Sequence, residues 1–189
     1  MVASEVAARP RVGELVSGDV AHHATEGDRH LLAVVDALGH GAVAHGVAQL
    51  AVAFLRGARA SQGVEQIVEG LHLALRQTRG AAAAVCVLEG NTLSGCSVGN
   101  VALRAERSRL GLVATPGVLG VRLHRPRVFQ SRLDAPDRLC IFSDGVSSRL
   151  DLKQVSSQPL RGAARRILEQ FGHPHDDATV LLMDIGADA

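Results

Sequence analysis

The pattern of apolar and polar residues divides the chain into short runs typical of strands and three longer stretches typical of helices. Apolar residues at three- and four-residue steps predict helices over residues 42–59, 64–78 and 160–171. Residues 21–28 are polar and small, which predicts a hairpin or loop. Alternating or continuous apolar runs predict strands at 11–20, 31–35, 83–88, 92–98, 101–106, 110–114, 127–133, 139–142 and 180–185.

The order of these elements indicates the fold class. Strands come first, then two helices, several strands joined by short turns, a third helix and a final strand. This order is typical of an α+β sandwich. The run at 31–35 is apolar without a break, which predicts a strand buried on both faces. No repeat or long linker interrupts the chain, so we expect a single domain over residues 1–189 with its core at about 11–185.

Composition excludes several classes of function. The chain has 189 residues with 20 Lys+Arg against 19 Asp+Glu, and this balance argues against binding to nucleic acid. Aromatic residues make up 2%, so stacking platforms for bases are nearly absent. Three cysteines without a CxxC pair indicate neither a disulfide framework nor a zinc site. No apolar run is long enough to span a membrane, and the N-terminus lacks a signal-peptide pattern, so we expect a cytoplasmic protein.

Aspartates lie at the ends of several predicted strands. Asp19 lies at the end of the first strand, Asp36 ends the run 31–35, Asp144 follows 139–142, and Asp176 and Asp177 precede the last strand. Carboxylates at strand ends can converge at one edge of a sheet, where they cannot all stay ionised unless cations neutralise them. Mg²⁺ and Mn²⁺ prefer such oxygen ligands, and two of these ions can activate a water for attack on a phosphoryl group.

A purely structural alternative, a turn, accounts for any one of these residues. An Asp followed by Gly at a strand end commonly forms only a turn. Four such sites, each next to a strongly apolar strand, favour a shared metal centre over four unrelated turns.

The same motifs resemble those of a known family. Ser17-Gly18-Asp19, Asp36-Ala37-Leu38-Gly39-His40-Gly41, Ser143-Asp144-Gly145 and Asp176-Asp177-Ala178-Thr179 look like the metal-binding motifs of the metal-dependent serine/threonine protein phosphatases, the PPM family, and of its SpoIIE-like branch. The resemblance extends from about residue 11 to residue 185. It implies an αββα sandwich of two mainly antiparallel sheets flanked by helices.

The resemblance also implies a role for each aspartate. Asp36 would bridge two divalent cations, Mn²⁺ or Mg²⁺, together with the backbone carbonyl of Ala37. Asp19 would support the second cation directly or through water, and Asp144 and Asp176 would hold the first. The cations would activate a water and polarise the phosphoryl oxygens of phosphoserine or phosphothreonine, so no covalent phosphoenzyme is needed.

Three positions in these motifs leave alternatives open. Asp177 stands where the wider family often has Asn, so it is a weaker ligand candidate. Ala37 stands where Gly is usual, and its carbonyl is available only if the backbone there tolerates a Cβ. His40 could donate a proton to the leaving alkoxide, or it could simply begin and pack the following helix.

Several neighbouring residues have mainly structural interpretations. We expect His22 and His23 to be solvated loop residues, although they could line the mouth of the site. His45 reads as an exposed or partly packed helix residue. Gly99-Asn100 resembles a turn found in the SpoIIE-like branch and is otherwise a plain turn.

The resemblance to stand-alone, RsbX-like members of the branch implies a phosphorylated regulatory protein as the partner, of the STAS-domain, anti-sigma-pathway or stressosome type. Two alternatives remain. A histidine-kinase-type ATPase would need an upstream Glu-x-x-x-Asn motif, which residues 1–35 do not contain. A phosphatase-like binding module with weak catalysis, within a signalling assembly, would keep the fold without the hydrolysis.

Overall fold

The computed structural model describes residues 2–186 as eleven strands and three α-helices, with short 3₁₀ helices at Ala60–Gln62 and Leu152–Val155. The helices are α1 (Gly41–Gly57), α2 (Val64–Ala74) and α3 (Leu160–Phe171). The strands are β1 (Val2–Arg9), β2 (Asp19–Glu26), β3 (Arg29–Ala37), β4 (Ala81–Glu89), β5 (Thr92–Val98), β6 (Ala102–Ala105), β7 (Gly117–Val118), β8 (Arg122–Leu123), β9 (Phe129–Arg132), β10 (Asp137–Phe142) and β11 (Ala178–Ile185).

The longer strands form two antiparallel sheets. One has the order β1-β11-β10-β6, and the other has the order β2-β3-β4-β5-β9. Strands β7 and β8 make a separate two-stranded ribbon. Helices α1 and α2 pack on the outer face of the five-stranded sheet, and α3 packs on the outer face of the four-stranded sheet. The predicted αββα sandwich is confirmed.

Strand β3 shows why its sequence is apolar without a break. Successive side chains of a strand point to opposite faces. Leu32 and Val34 therefore enter the core between the two sheets, whereas Leu31, Ala33 and Val35 pack beneath α1 and α2. Because both faces of β3 are covered, no polar residue interrupts the run until Asp36 at the end of the sandwich.

The start of the chain differs from the prediction. Residues 10–18 form a loop instead of a strand, and Val12 and Leu15 are 72% and 97% exposed. The segment 21–28, predicted as a hairpin or loop, is mostly strand β2 and ends in the hairpin turn to β3. A further strand, β1, pairs with β11 from Val2 to Arg9. Its alanines and mixed polar residues carry no strong strand signal because β1 is an edge strand with one neighbour.

The predicted strand at 110–114 is also wrong. This segment has no strand pairing, although Leu110 and Leu112 pack against the core between the sheets. A loop that covers a core edge produces the same alternation of apolar and polar residues as a strand. The remaining predicted strands and all three helices are present within a few residues of their expected limits.

None of the helices formed by residues 2–186 combines the length and the apolar character needed to cross a membrane.

We expect Leu32→Ala to lower the free energy of unfolding by about 2–5 kcal/mol, because it opens a cavity in the core between the sheets. Leu32 has no exposed surface, whereas Leu15 is 97% exposed. The same substitution at Leu15 should change the stability by less than about 0.5 kcal/mol. Urea unfolding followed by circular dichroism measures both, and equal losses would contradict this account of the core.

Candidate metal centre

Aspartates from both sheets meet at one end of the sandwich. Asp19 begins β2 and lies directly opposite Asp36 in the pairing of β2 with β3. Asp144 follows the end of β10, and Asp176 lies two residues before β11. Asp36 shares a hydrogen bond with Asp144, and the charges of Asp19, Asp144 and Asp176 all act on it. The structure therefore brings the four predicted strand-end residues together.

Burial and mutual repulsion dominate the electrostatics of this cluster. Burial raises the pKa of Asp36 to about 9, and the charges of Asp19 and Asp144, a hydrogen bond with Asp144 and the charge of Asp176 add to the rise. Burial also raises the pKa of Asp19 to about 7, although its hydrogen bond with Ser143 opposes the shift. At neutral pH the metal-free protein therefore retains a proton on Asp36, and a bound cation can take the place of that proton.

Asp177 has a different environment from the other aspartates. Its two carboxylate oxygens accept hydrogen bonds from the backbone N–H groups of Gly18 at 2.7 Å and Arg11 at 2.8 Å. The side chain is buried and fixes the loop that leads to Asp19. These contacts engage both oxygens with the backbone, which favours a positioning role for the weaker of the predicted ligands.

The turn before Asp19 requires a residue without a side chain. A Cβ on Gly18 would lie 2.6 Å from the Cβ of Ala44 in α1, closer than real Cβ contacts allow. His45, one residue further along α1, donates from Nδ1 to the carbonyl oxygen of Ser17 at 2.9 Å. The sequence predicted only an exposed or partly packed residue at His45, and the structure shows that it anchors this turn to the helix.

Ser143 connects the two sheets at the cluster. Its hydroxyl donates to Oδ2 of Asp19 at 2.5 Å and accepts from the N–H of Thr179 at 3.0 Å. Ser143 has no exposed surface, so this hydrogen bond is shielded from water. Its place beside Asp144 in the sequence was the only signal of this role, and the sequence reasoning did not assign one.

Asn100 is the second residue that sequence reasoning missed. Its side-chain amide donates to Oδ2 of Asp144 at 2.5 Å. Gly99 makes the turn possible because its φ of +81° favours glycine and a Cβ there would lie 2.8 Å from Ala82. The resemblance of Gly99-Asn100 to a turn of the SpoIIE-like branch was the available signal.

The backbone at Ala37 tolerates the side chain that replaces the usual glycine. Among residues 2–186, the only residue other than glycine with positive φ is Gln77, so Ala37 has an ordinary strand conformation. Its N–H donates to the carbonyl of Gly18 at 3.1 Å, and its methyl group is buried against the helices. The Cβ therefore fits where the sequence departs from the family pattern.

His40 lies at the start of α1 and contacts the loop before β2. Its Nδ1 lies 2.7 Å from Oε1 of Glu14, and the two groups form an ion pair when the imidazole is protonated. The Glu14 carboxylate also lies against Gly41, whose φ is +69°. The pair thus joins the loop at residues 10–18 to the first turn of the helix.

The structure places His22 and His23 in β2, so the expected loop position is wrong. His23 is four residues along the strand from Asp19, a separation of about 13 Å. Neither histidine is therefore beside the carboxylate cluster.

The donor set fits hard divalent cations. None of Asp19, Asp36, Asp144 and Asp176 forms a salt bridge with Lys or Arg among residues 2–186. Among the same residues, no group of three or more His, Cys, Asp or Glu side chains is arranged to hold a metal ion by itself. Mg²⁺ and Mn²⁺ commonly keep several waters and take only one or two carboxylates each, so spread-out carboxylates and a nearby backbone carbonyl suit them.

The sandwich with acidic residues at one end is the fold of the PP2C-type serine/threonine phosphatases. One similar structure matches with TM-score 0.89 and 27% identity, covering 97% of this chain and 99% of that chain. It comes from work on the bacterial stressosome as a modular system adapted to control secondary messenger signaling. RsbX in complex with magnesium matches with TM-score 0.84 and 21% identity, covering 97% of this chain and 94% of that chain. The Mycobacterium tuberculosis phosphatase PstP/Ppp matches with TM-score 0.79 and 16% identity, covering 98% of this chain and 99% of that chain.

The chain belongs to the SpoIIE family, described as Stage II sporulation protein E, whose model matches residues 26–186. This family consists of phosphatases, which are hydrolases, so the expected class of enzyme and the resemblance to the SpoIIE-like branch are confirmed. A search of curated proteins finds no match.

We expect Asp36→Asn to raise the melting temperature of the metal-free protein at pH 8. The pKa of Asp36 rises from 3.8 to about 9 on folding. The folded protein therefore holds a proton that the unfolded chain has lost, and stability falls as pH increases through this range. Replacing the carboxylate with an amide removes this loss of stability. Each kcal/mol gained in the free energy of unfolding raises the melting temperature by about 2–4 °C in a domain of this size.

The matched control is Asp151→Asn, because Asp151 is exposed and caps a 3₁₀ helix through an oxygen that Asn also provides. This control should leave the pH dependence of melting unchanged. Asp19, whose pKa is raised to about 7, contributes to the loss at lower pH, so the test of Asp36 lies between about pH 7 and pH 9. A loss of stability in that range that persists in Asp36→Asn would show that another group causes it.

Proposed function

We propose that residues 1–189 form one catalytic domain, a metal-dependent serine/threonine protein phosphatase that hydrolyses phosphoserine or phosphothreonine on a regulatory phosphoprotein. The observation that carries this proposal is the carboxylate cluster at Asp36, whose burial and mutual repulsion raise its pKa to about 9. A carboxylate cluster without Lys or Arg partners among the described residues supports a role in binding cations.

We assign the ligands as follows. Asp36 and the carbonyl of Ala37 would contact both cations, Asp19 would support one of them, and Asp144 and Asp176 would hold the other. Bound Mg²⁺ or Mn²⁺ ions would lower the pKa of a water and polarise the phosphoryl oxygens. The structures of relatives support the choice of cation, since RsbX was solved with magnesium and the catalytic domain of PstP was solved with two manganese ions.

Hydrogen bonds around these ligands orient two of the four carboxylates directly. Ser143 donates to Asp19, and Asn100 donates to Asp144. Asp177 holds the backbone amide of Gly18 and so fixes the direction in which Asp19 enters the cluster. Such outer contacts keep the ligands preorganised, which lowers the cost of rearrangement when charge develops on the phosphoryl oxygens.

His40 is proposed as the proton donor to the leaving alkoxide. The Glu14 carboxylate lies 2.7 Å from Nδ1 and orients the ring, and in an imidazolium the other ring nitrogen is also an N–H donor. His40 is half exposed at the start of α1, only four residues after Asp36, so a phosphoprotein bound at the cluster can reach it. Glu14 positions this ring.

The proposed partner is a folded phosphoprotein of the anti-sigma-pathway or stressosome type, such as a phosphorylated STAS domain. The support is the similarity to RsbX and to the structure solved in work on the stressosome, each covering nearly the whole chain.

We expect hydrolysis of p-nitrophenyl phosphate to require Mn²⁺ or Mg²⁺ and to stop when EDTA is added. Asp36→Asn and Asp144→Asn should each lower kcat by about 100-fold or more, because each removes a cation ligand. The control Asp151→Asn should retain full activity, since Asp151 lies outside the cluster. The absorbance of released p-nitrophenolate gives the rate for wild type and for the three variants.

Turnover that survives EDTA, or that is equal in wild type and Asp36→Asn, would contradict the metal-dependent mechanism. Folded protein that binds Mn²⁺ but hydrolyses neither p-nitrophenyl phosphate nor phosphorylated STAS domains would instead identify a phosphatase-like binding module.

We expect His40→Gln to slow hydrolysis of a phosphoserine peptide by about 100-fold, because an alkoxide needs a proton as it leaves. The same variant should change hydrolysis of p-nitrophenyl phosphate little, since p-nitrophenolate leaves as a stable anion. Comparing kcat on the two substrates measures the difference. Equal effects on both substrates would mean that His40 only packs the start of α1.

A further inference from the structure

Two histidines meet near the far end of β2 from the carboxylate cluster. Nε2 of His23 lies 3.2 Å from Nδ1 of His30, and the ring centroids are 5.4 Å apart with a 29° angle between the planes. His23 is about 13 Å along the strand from Asp19, so this pair lies outside the candidate metal centre.

The pairing of β2 with β3 brings these rings together. His23 lies opposite Leu32, and His30 lies opposite Thr25, so the two histidines are diagonal neighbours on one face of the sheet. Leu32 is part of the core between the sheets, which identifies this as the inner face. Both rings are partly buried.

A residue from the other sheet holds one of the rings. The hydroxyl of Ser4 in β1 lies 2.7 Å from Nδ1 of His23. Strands β1 and β2 are the edge strands of the two sheets on this side, so the contact bridges the open side of the sandwich. When Ser4 accepts from Nδ1, that nitrogen keeps the proton and Nε2 presents its lone pair towards His30.

We propose that His23 and His30 form a two-histidine site for a divalent transition metal of the zinc, nickel and copper class. Two imidazole nitrogens at 2.0–2.1 Å from one tetrahedral ion are separated by about 3.3 Å. The observed separation of 3.2 Å already matches this value. The Thr25 hydroxyl, 3.3 Å from Nδ1 of His30, lies at the edge of the site, and water completes the coordination.

The chemistry of the pair separates it from the carboxylate cluster. Imidazole nitrogens favour Zn²⁺, Ni²⁺ and Cu²⁺, whereas carboxylate oxygens favour Mg²⁺ and Mn²⁺. Burial lowers the pKa of both His23 and His30, with the neighbouring histidines also lowering that of His23 and Asp28 opposing the shift at His30. Neutral imidazoles are the form that binds metals.

A shared proton is the competing explanation for the short separation. If Ser4 donates to Nδ1 of His23, then Nε2–H of His23 donates to Nδ1 of His30 and the pair is an ordinary hydrogen bond. That arrangement needs no metal and gives no selective affinity for Ni²⁺. The two explanations therefore differ in a measurable quantity.

The test is calorimetric titration of the full chain with Ni²⁺ at neutral pH, with excess Mg²⁺ present to compete for the carboxylates. We expect His23→Ala and His30→Ala to weaken Ni²⁺ binding by at least about tenfold, and Ser4→Ala to weaken it by about tenfold through loss of the ring's partner. His124→Ala is the matched control, because His124 is exposed and distant in sequence, and it should bind Ni²⁺ like wild type.

A variant that adds a ligand covers the case in which the alanine variants fail to fold. Thr25 is exposed beside His30, and Thr25→His should tighten Ni²⁺ binding by at least about tenfold by supplying a third imidazole. The proposal is overturned if wild type binds no Ni²⁺ under excess Mg²⁺, or if the folded alanine variants bind it as wild type does. It is also overturned if Thr25→His leaves the affinity unchanged.

Discussion

Repulsion at Asp19 and Asp36, two facing carboxylates that the fold largely removes from water, is the constraint on which the rest of the structure depends. Asp19 and Asp36 occupy facing positions on adjacent strands, and Asp144 and Asp176 approach from the other sheet. Such an arrangement opposes folding, so other interactions must offset it. The three apolar clusters, one between the sheets and one beneath the helices on each side, supply the favourable burial that holds the strand ends together.

The polar groups around the cluster orient the carboxylates without neutralising them. Ser143 and Asn100 are neutral donors, and Asp177 and His45 act on the backbone of the loop before Asp19. A Lys or Arg in any of these places would stabilise the metal-free protein and would compete with a metal cation for the carboxylates. The arrangement therefore keeps negative charge available in a rigid geometry, which suits hard cations in a phosphatase of the SpoIIE family.

Much of this architecture could be predicted from local pattern. The limits of α3 agree with the prediction because an amphipathic period marks the whole helix, and the apolar run at 31–35 identified the central strand β3. Asp36, Asp144 and Asp176 were also recognisable, because each ends, follows or precedes a buried run. Asp19 was expected at the end of a strand but begins β2, because residues 10–18 form a loop. Strand β1 was missed because an alanine-rich edge strand depends on its partner β11 and carries little pattern of its own.

The partners of the aspartates could not be predicted in the same way. Ser143 and Asp19 are 124 residues apart in the chain, and Asn100 and Asp144 are 44 residues apart. Contacts at these separations depend on how the sheets are stacked, which no local period encodes. His45 is a further example, since its position on α1 was predicted but its bond to the Ser17 carbonyl depends on how closely the helix approaches the loop.

The alignment of β2 with β3 has a consequence for which sequence changes the protein can tolerate. Asp19 and His23 point to the same face because an even number of residues separates them. Loss of one residue between Asp19 and the hairpin at Gly27 would move Asp19 to the place of Val20, on the face that packs towards α1, and would leave Gly18 opposite Asp36. We therefore expect length changes in homologous chains to accumulate in the loop at residues 10–18, and β2 itself to keep a constant length.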